Sequence, residues 1–242
     1  MAHFKPYPRV YLPRKNKKIL ENQDYLSDSR YIMKHESASY VNAARIIIKD
    51  YYDLIDYVEP VDANRVVYSH RIYELLLRTA TEFEANCKGI LLANGYSKTG
   101  NLNITDYYKI NSLLRLHEYE VYTPLWSPNK KTCSLSEWAI GPTLKWYQAY
   151  NNVKHNRFQC FNDASLENLF NGICSLIVIL AAQFPNVIGD ITTGCSFLAE
   201  NDNSLSFGGF TINYPVFADA DKYDFDWSII KQDSLPFDHY SF

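Results

Sequence analysis

The residues best suited to chemistry form one short polar cluster in the second half of the chain. They are Asn151, Asn152, Lys154, His155 and Arg157. Free histidine has a pKa of about 6.5, so an imidazole can act as an acid or a base near neutral pH. Lysine and arginine stabilise charge that develops on a phosphoryl group. The combination indicates metal-independent chemistry on a phosphate ester, such as cleavage of RNA through its 2′-hydroxyl.

The spacing of this cluster fits a helix. If the chain is helical up to His155, Asn151 and Asn152 precede it by four and three positions and share its face. Their amides would then orient the imidazole or contact a phosphate. A structural interpretation also remains open. In it, His155 and Asn156 only end the helix, since basic groups in a last turn interact favourably with the helix dipole.

Other common signatures of enzymes are absent from the sequence. It contains no phosphate-binding loop, no GxGxxG, no HExxH and no GxSxG pattern. The five cysteines are scattered and include no CxxC pair; they are Cys87, Cys133, Cys160, Cys174 and Cys195. This distribution argues against a zinc site and against a disulfide framework. We therefore expect neither a metal nor a cofactor.

Charge is distributed unevenly, although the formal net charge is only −3. Residues 1–20 carry six basic side chains and no acidic one, whereas six aspartates and two lysines follow from Asp219 to the end. The two ends either bind different partners or pack on each other, and their aromatic residues and prolines favour mutual packing. A net charge this small creates no global field that would attract nucleic acid.

Hydrophobic periodicity predicts the elements that position the cluster. Apolar residues at steps of three and four predict helices over 36–57, 64–94, 103–117, 143–155 and 164–184. Gly95 follows the second of these at a C-cap position, and Pro185 ends the last. Residues 119–126 alternate enough for a short edge strand, residues 156–163 read as a loop, and residues 186–242 read as turns and short strands.

These elements predict a mainly α protein, a bundle of four or five helices with irregular arms at both ends and a few short strands. We expect a basic arm over 1–35, a helical domain over 36–184, and an irregular C-terminal extension over 185–242 that packs on the same core. The longest apolar run, residues 173–184, is shorter than the about 20 residues of a membrane helix. No signal peptide opens the sequence. The expected location is therefore cytoplasmic, with no membrane span.

Three segments resemble bacterial HEPN-like proteins: Tyr73–Lys88, Trp146–Arg157 and Ala164–Asn171. The similarity extends over residues 36–184, and its most specific part is the block Tyr-Asn-Asn-Val-Lys-His-Asn-Arg at 150–157. The resemblance implies a HEPN-like helical bundle that commonly dimerises. It also implies one of two functions. Many members are metal-independent ribonucleases of toxin–antitoxin, abortive-infection or CRISPR systems, whereas others bind nucleotides or act as assembly modules.

The resemblance assigns roles to single residues. In the active motif of the family, an arginine and the polar residue beside it stand shortly before a histidine. Asn151 and His155 match the polar residue and the histidine, but Tyr150 takes the place of the arginine. A catalytic version would use His155 as acid or base, with Lys154 and Arg157 supplying positive charge. The Tyr150 replacement favours instead an inactive module that binds a nucleotide or a protein.

The remaining assignments concern substrate binding. Asn152, Tyr150 and Trp146 are expected to contact the substrate, the rings by stacking on bases, unless the rings belong to the core or an interface. The family places an acidic residue of an earlier helix near the site, and Glu82, or its neighbour Glu84, is expected in that role. The expected partners are RNA or a nucleotide, a second copy in a homodimer, and an unidentified antitoxin or defence partner.

Overall fold

The computed structural model describes residues 3–15, 17, 23–185, 198–201 and 203–242. Its α-helices are α1 (Gln23–Leu26), α2 (Lys34–Ile55), α3 (His70–Ala93), α4 (Ile104–Tyr107), α5 (Asn111–Leu114), α6 (Lys145–His155), α7 (Arg157–Cys160), α8 (Leu166–Ala181) and α9 (Trp227–Ile230). Helices α2 and α3 pack against each other and against α8, while α6 contacts both α3 and α8. These four helices correspond to four of the helices that the hydrophobic periodicity predicted.

Local sequence explains where the principal helices begin and end. The Ser69 side chain accepts a hydrogen bond from the Ile72 backbone N–H and starts α3, and Gly95, with a φ of 77°, follows its end. Ser165 caps α8 in the same way through the backbone N–H of Asn168. Such caps satisfy backbone groups that have no partner inside the helix. The helix predicted over 103–117 is instead divided into α4 and α5 by a 3₁₀ turn, Tyr108–Ile110, and ends at Arg115, which adopts a left-handed φ of 50°.

The prediction of a mainly α bundle is wrong, because the chain also forms an antiparallel β-sheet. Its strands are β1 (Glu120–Thr123), β2 (Lys130–Thr132), β3 (Leu198–Asn201), β4 (Ser204–Phe207) and β5 (Phe210–Asn213). They are arranged in the order β2-β1-β5-β4-β3. The fold is therefore mixed α/β. Among the described residues, the C-terminal extension, which was expected to hold turns and short strands, supplies three of the five strands of the sheet.

Pairing between distant parts of the chain places β1 inside the sheet. Val121 of β1 pairs with Thr132 of β2 on one side and with Ile212 of β5 on the other. Val121 and Ile212 are both fully buried. The edge strand expected over 119–126 is consequently an interior strand, and Pro124 lies just beyond its end, where it costs no ladder hydrogen bond.

One hydrophobic core joins the helices to the sheet. The Phe170 ring of α8 lies 4.9 Å from the Trp126 ring and 6.4 Å from the Phe210 ring of β5, measured between centroids. The Trp126 indole N–H donates a hydrogen bond of 3.1 Å to Asp62. Lys130 places its ammonium 4.0 Å from the centroid of the same indole. A buried aromatic cluster thus connects α8 with β5 and with the segment between β1 and β2.

The basic arm and the acidic C-terminal segment lie against each other, which is the second of the two alternatives that the charge pattern left open. Lys15 pairs with Asp224 at 2.7 Å, and Lys5 pairs with Asp233 at 3.3 Å. Tyr11 of the arm is buried and belongs to the common core. Exposed ion pairs of this kind contribute little stability, so the buried apolar side chains of the arm hold it in place.

Among the described residues, no helix combines the length and the apolar character that crossing a membrane requires.

Candidate binding cleft

A cleft of about 740 Å³ opens between α3, α6 and the loop 96–103. On α6 it is lined by Tyr147, Asn151 and Lys154, and on α3 by Glu84, Lys88 and Leu92. Each set repeats at steps of three or four, so each occupies one face of its helix. The volume falls within the range of about 300–1,000 Å³ that is typical of small-molecule sites.

The side of the cleft formed by α3 is built around the carboxylate of Glu84. The Tyr147 hydroxyl donates a hydrogen bond of 2.8 Å to Glu84, and the Lys88 ammonium lies 3.3 Å from it. Burial, together with this hydrogen bond to Glu84, holds the pKa of Tyr147 far above its ordinary value. Tyr147 therefore stays protonated and keeps donating, and the charges of Glu84 and Lys88 compensate each other.

At the α6 side of the cleft, Lys154 provides a cation that forms no direct ion pair within the described chain, although the charge of Glu84 also acts on it. Its ammonium donates a hydrogen bond of 2.8 Å to the Tyr150 hydroxyl and lies 4.9 Å from the centroid of that ring. The hydrogen bond to Tyr150 raises the pKa of Lys154, so the ammonium stays charged. Within the part of the chain that the structure describes, no carboxylate forms an ion pair with Lys154.

The loop 96–103 forms the third wall and is fastened by Asp106. The carboxylate of Asp106, 5% exposed, accepts hydrogen bonds from the Tyr96 hydroxyl at 2.9 Å, the Lys98 ammonium at 2.7 Å and the Asn103 backbone N–H at 2.9 Å. Burial alone would raise the pKa of Asp106, but these hydrogen bonds together hold it below its usual range. At its tip the loop turns through Gly100, whose φ of 88° disfavours other residues.

Acidification is expected to weaken the contacts that hold the loop 96–103 to Asp106. A carboxylate whose pKa is lower in the folded state stabilises that state above its unfolded pKa of about 3.9, and the contribution disappears as the pH falls through the folded value. We therefore expect the backbone amides of residues 96–103 to lose protection from hydrogen exchange when the pH is lowered below about 4. Asp106→Asn should lower the stability by about 1–3 kcal/mol at neutral pH and abolish this acid dependence. An unchanged acid dependence in Asp106→Asn would assign it to another group.

The structure separates the predicted site residues into two sets. Asn151 and Lys154 line the cleft together, whereas His155 and Arg157 are exposed and do not line it. His155 lies four residues after Asn151 and so on the same side of α6, but its side chain is exposed and is not part of the cleft lining. Asn152 also lies outside and donates a hydrogen bond of 2.8 Å to Asp163.

The predicted stacking rings belong to the core. Trp146 is 2% exposed and packs edge-on against Phe83 at 5.2 Å between centroids. Tyr150 is 3% exposed, and its hydroxyl accepts the hydrogen bond from the Lys154 ammonium. Both rings thus pack in the core, which was one of the alternatives that the sequence left open for them.

The structure places Glu84, and not Glu82, in the cleft. Glu82 lies in a separate groove beside Ala43 and Ile46 of α2, where burial raises the pKa of its carboxyl. The i,i+4 spacing of Glu84 and Lys88 was visible in the sequence as a helical ion pair. The contributions of Lys98 and Tyr96 had no comparable signal, because a loop without periodicity carries them.

Nothing in the described ranges brings three or more His, Cys, Asp or Glu side chains together as a metal site. Comparison of the chain with protein-family models, with curated proteins and with solved structures yields no match. The resemblance to HEPN-like proteins therefore stays a prediction. Among the described residues, the cleft combines the ammonium of Lys154 and the amide of Asn151 with two ammonium groups that already have carboxylate partners, Lys88 with Glu84 and Lys98 with Asp106.

Proposed function

We propose that the cleft binds a nucleotide and that the protein is a nucleotide-binding module. The observation that carries this proposal is the ammonium of Lys154, which faces the cleft and forms no direct ion pair in the described chain. A phosphate accepts charge-assisted hydrogen bonds from such a group. Lys98 also lines the cleft, and the N–H groups of its ammonium that are not bonded to Asp106 would act as further donors.

The charges in the cleft also orient the ligand. Glu84 repels a phosphate, although Lys88 compensates much of its charge. The phosphate is therefore expected at the end formed by Lys98 and Lys154. The base would then lie toward the amide of Asn151, which can both donate and accept hydrogen bonds.

Two placements favour binding over cleavage of a phosphate ester. Tyr150, in the position of the expected arginine, is buried and bonded to Lys154. His155, the expected acid or base, is exposed outside the lining of the cleft. A proton-transferring group must come within hydrogen-bond reach of the reacting atoms, and these residues offer no such group in the lining of the cleft.

Calorimetric titration with mononucleotides tests the proposal, with Lys154→Ala as the site variant and Lys145→Ala as its control. Lys145 carries the same charge on the same helix, but its side chain is 90% exposed and does not line the cleft. We expect Lys154→Ala to weaken binding by about ten-fold or more, as the loss of a charge-assisted hydrogen bond does. Lys145→Ala should bind as the unaltered protein does. If no mononucleotide binds, or if both variants weaken binding equally, the proposal is refuted.

A further inference from the structure

A groove runs along the contact between α2 and α3, and none of the described residues that line it belongs to the cleft. It has two compartments, of about 410 Å³ and about 300 Å³, and Arg78 lines both. On α2 the lining residues recur at steps of three and four from Ala43 to Tyr57, so they occupy one face of the helix. This distance along α2 corresponds to about 21 Å, or about four helical turns. We call this feature the α2–α3 groove.

Apolar side chains lie in both compartments of the α2–α3 groove. Leu54 and Leu75 lie in the larger one, and Ile46, Ile47 and Leu77 lie in the smaller one. Ile46 is 40% exposed, so part of this apolar surface faces water in the single chain. Ile47 and Leu54 are about two turns apart on α2, which corresponds to about 10.5 Å. Two apolar side chains at positions i and i+7 of another helix have the same separation, so each would enter one compartment.

The carboxylates of the α2–α3 groove leave one unpaired negative charge in each compartment. Three of the carboxylates have a basic partner: Asp53 pairs with Lys49, Glu74 with Arg71, and Asp50 with Arg78. Asp56 in the larger compartment and Glu82 in the smaller one form no ion pair within the described chain. Burial raises the pKa of Glu82, and the charge of Arg78 offsets this only in part. A nearby cation favours the charged form of such a carboxyl, so each compartment offers a position for a lysine or an arginine.

We infer that the α2–α3 groove binds a basic amphipathic helix of a partner protein. The apolar side chains of the groove fit the apolar face of such a helix, and Asp56 and Glu82 fit basic residues at the edges of that face. The groove favours a helix over an extended peptide, because a helix satisfies its own backbone hydrogen-bonding groups. Both walls of the groove are helices and offer no strand edge with which an extended peptide could pair.

Fluorescence anisotropy with synthetic peptides tests this inference. The probe is a labelled peptide of about four helical turns, with leucines at i, i+3 and i+7 and lysines beside them. A comparison peptide has the same composition in an order that gives no apolar face. We expect the amphipathic peptide to bind at least about ten-fold more tightly, because only its leucines can occupy both compartments together. Equal affinity of the two peptides would show a surface that merely attracts positive charge and would overturn the inference, as would no binding of either.

Two pairs of matched variants locate the bound peptide. Asp56→Lys should weaken its binding by about five-fold, whereas Asp238→Lys reverses the charge of an exposed aspartate outside the groove and should have no effect. Ile46→Ser should weaken binding by about ten-fold, and Ile140→Ser, at an exposed isoleucine outside the groove, is its control. All four positions are exposed, so the variants are expected to fold. Equal effects within either pair would place the peptide elsewhere and overturn the inference.

Discussion

Replacing Gly89 by alanine is expected to destabilise the protein by about 2–4 kcal/mol, because the added methyl would occupy the position of the Arg9 guanidinium. A Cβ built on Gly89 meets three atoms of that guanidinium at overlapping distances. In an otherwise unhindered helix the same substitution would be favourable by about 1 kcal/mol. The expected loss therefore comes from the displacement of Arg9.

Arg9 has several contacts to lose. Its side chain is buried, its Nε donates a hydrogen bond of 2.9 Å to Gln183, and Nη1 lies 3.3 Å from the carboxylate of Glu36. The guanidinium also lies 4.6 Å from the centroid of the Tyr40 ring. Gln183 is fully buried, so an outward movement of Arg9 leaves an amide oxygen without its donor.

A double-mutant cycle measured by urea denaturation isolates this interaction. In the background of Arg9→Ala the Gly89→Ala substitution should become neutral or stabilising, since nothing then occupies the space over Gly89. An equal cost in both backgrounds would show that α3 itself resists the extra methyl. The cycle also shows how the N-terminal arm is attached, because Arg9 belongs to the arm and Gly89 to the longest helix.

Local patterns were sufficient for the long helices but not for the short helices or the sheet. The apolar stripe of α3 and the apolar second half of α8 set both helices apart from their surroundings. The structure has both, and each begins later than predicted, directly after a serine cap. The strands are only three or four residues long, too short for alternation to be distinctive. The partner of β1 on its inner side is β5, some ninety residues later in the chain, and no local signal encodes that pairing.

In the candidate site, too, the helical residues were predictable from the sequence and the loop residues were not. Helical spacing predicted that Asn151 and Lys154 would act together, and both line the cleft. The same spacing also placed His155 with them. Spacing shows which residues of a helix lie near one another, but it does not show which of them line a cleft. Lys98 enters the site through the loop fastened by Asp106. That contact depends on the tertiary position of the loop beside α6, which no motif encodes.

The second large effect is expected for Phe170→Ala, which should destabilise the protein by about 3–5 kcal/mol, the usual cost of removing a buried phenylalanine ring. Phe170 is fully buried and fills the space between the Trp126 and Phe210 rings. Its loss leaves a cavity where α8 meets the sheet. Phe4→Ala removes the same ring from an exposed position and should change the stability by no more than about 0.5 kcal/mol.

The shape of the unfolding curve matters as much as its midpoint. Because helices and strands share one core through Phe170, the variant should still unfold in one transition, with near-UV and far-UV circular dichroism coinciding at a lower temperature. Two separate transitions would show that the sheet and the helical part are independent units, each with its own core. The sheet would then be an appended layer, and the cleft, which is lined by α3, α4, α6 and the loop 96–103, would keep its structure while the sheet unfolds.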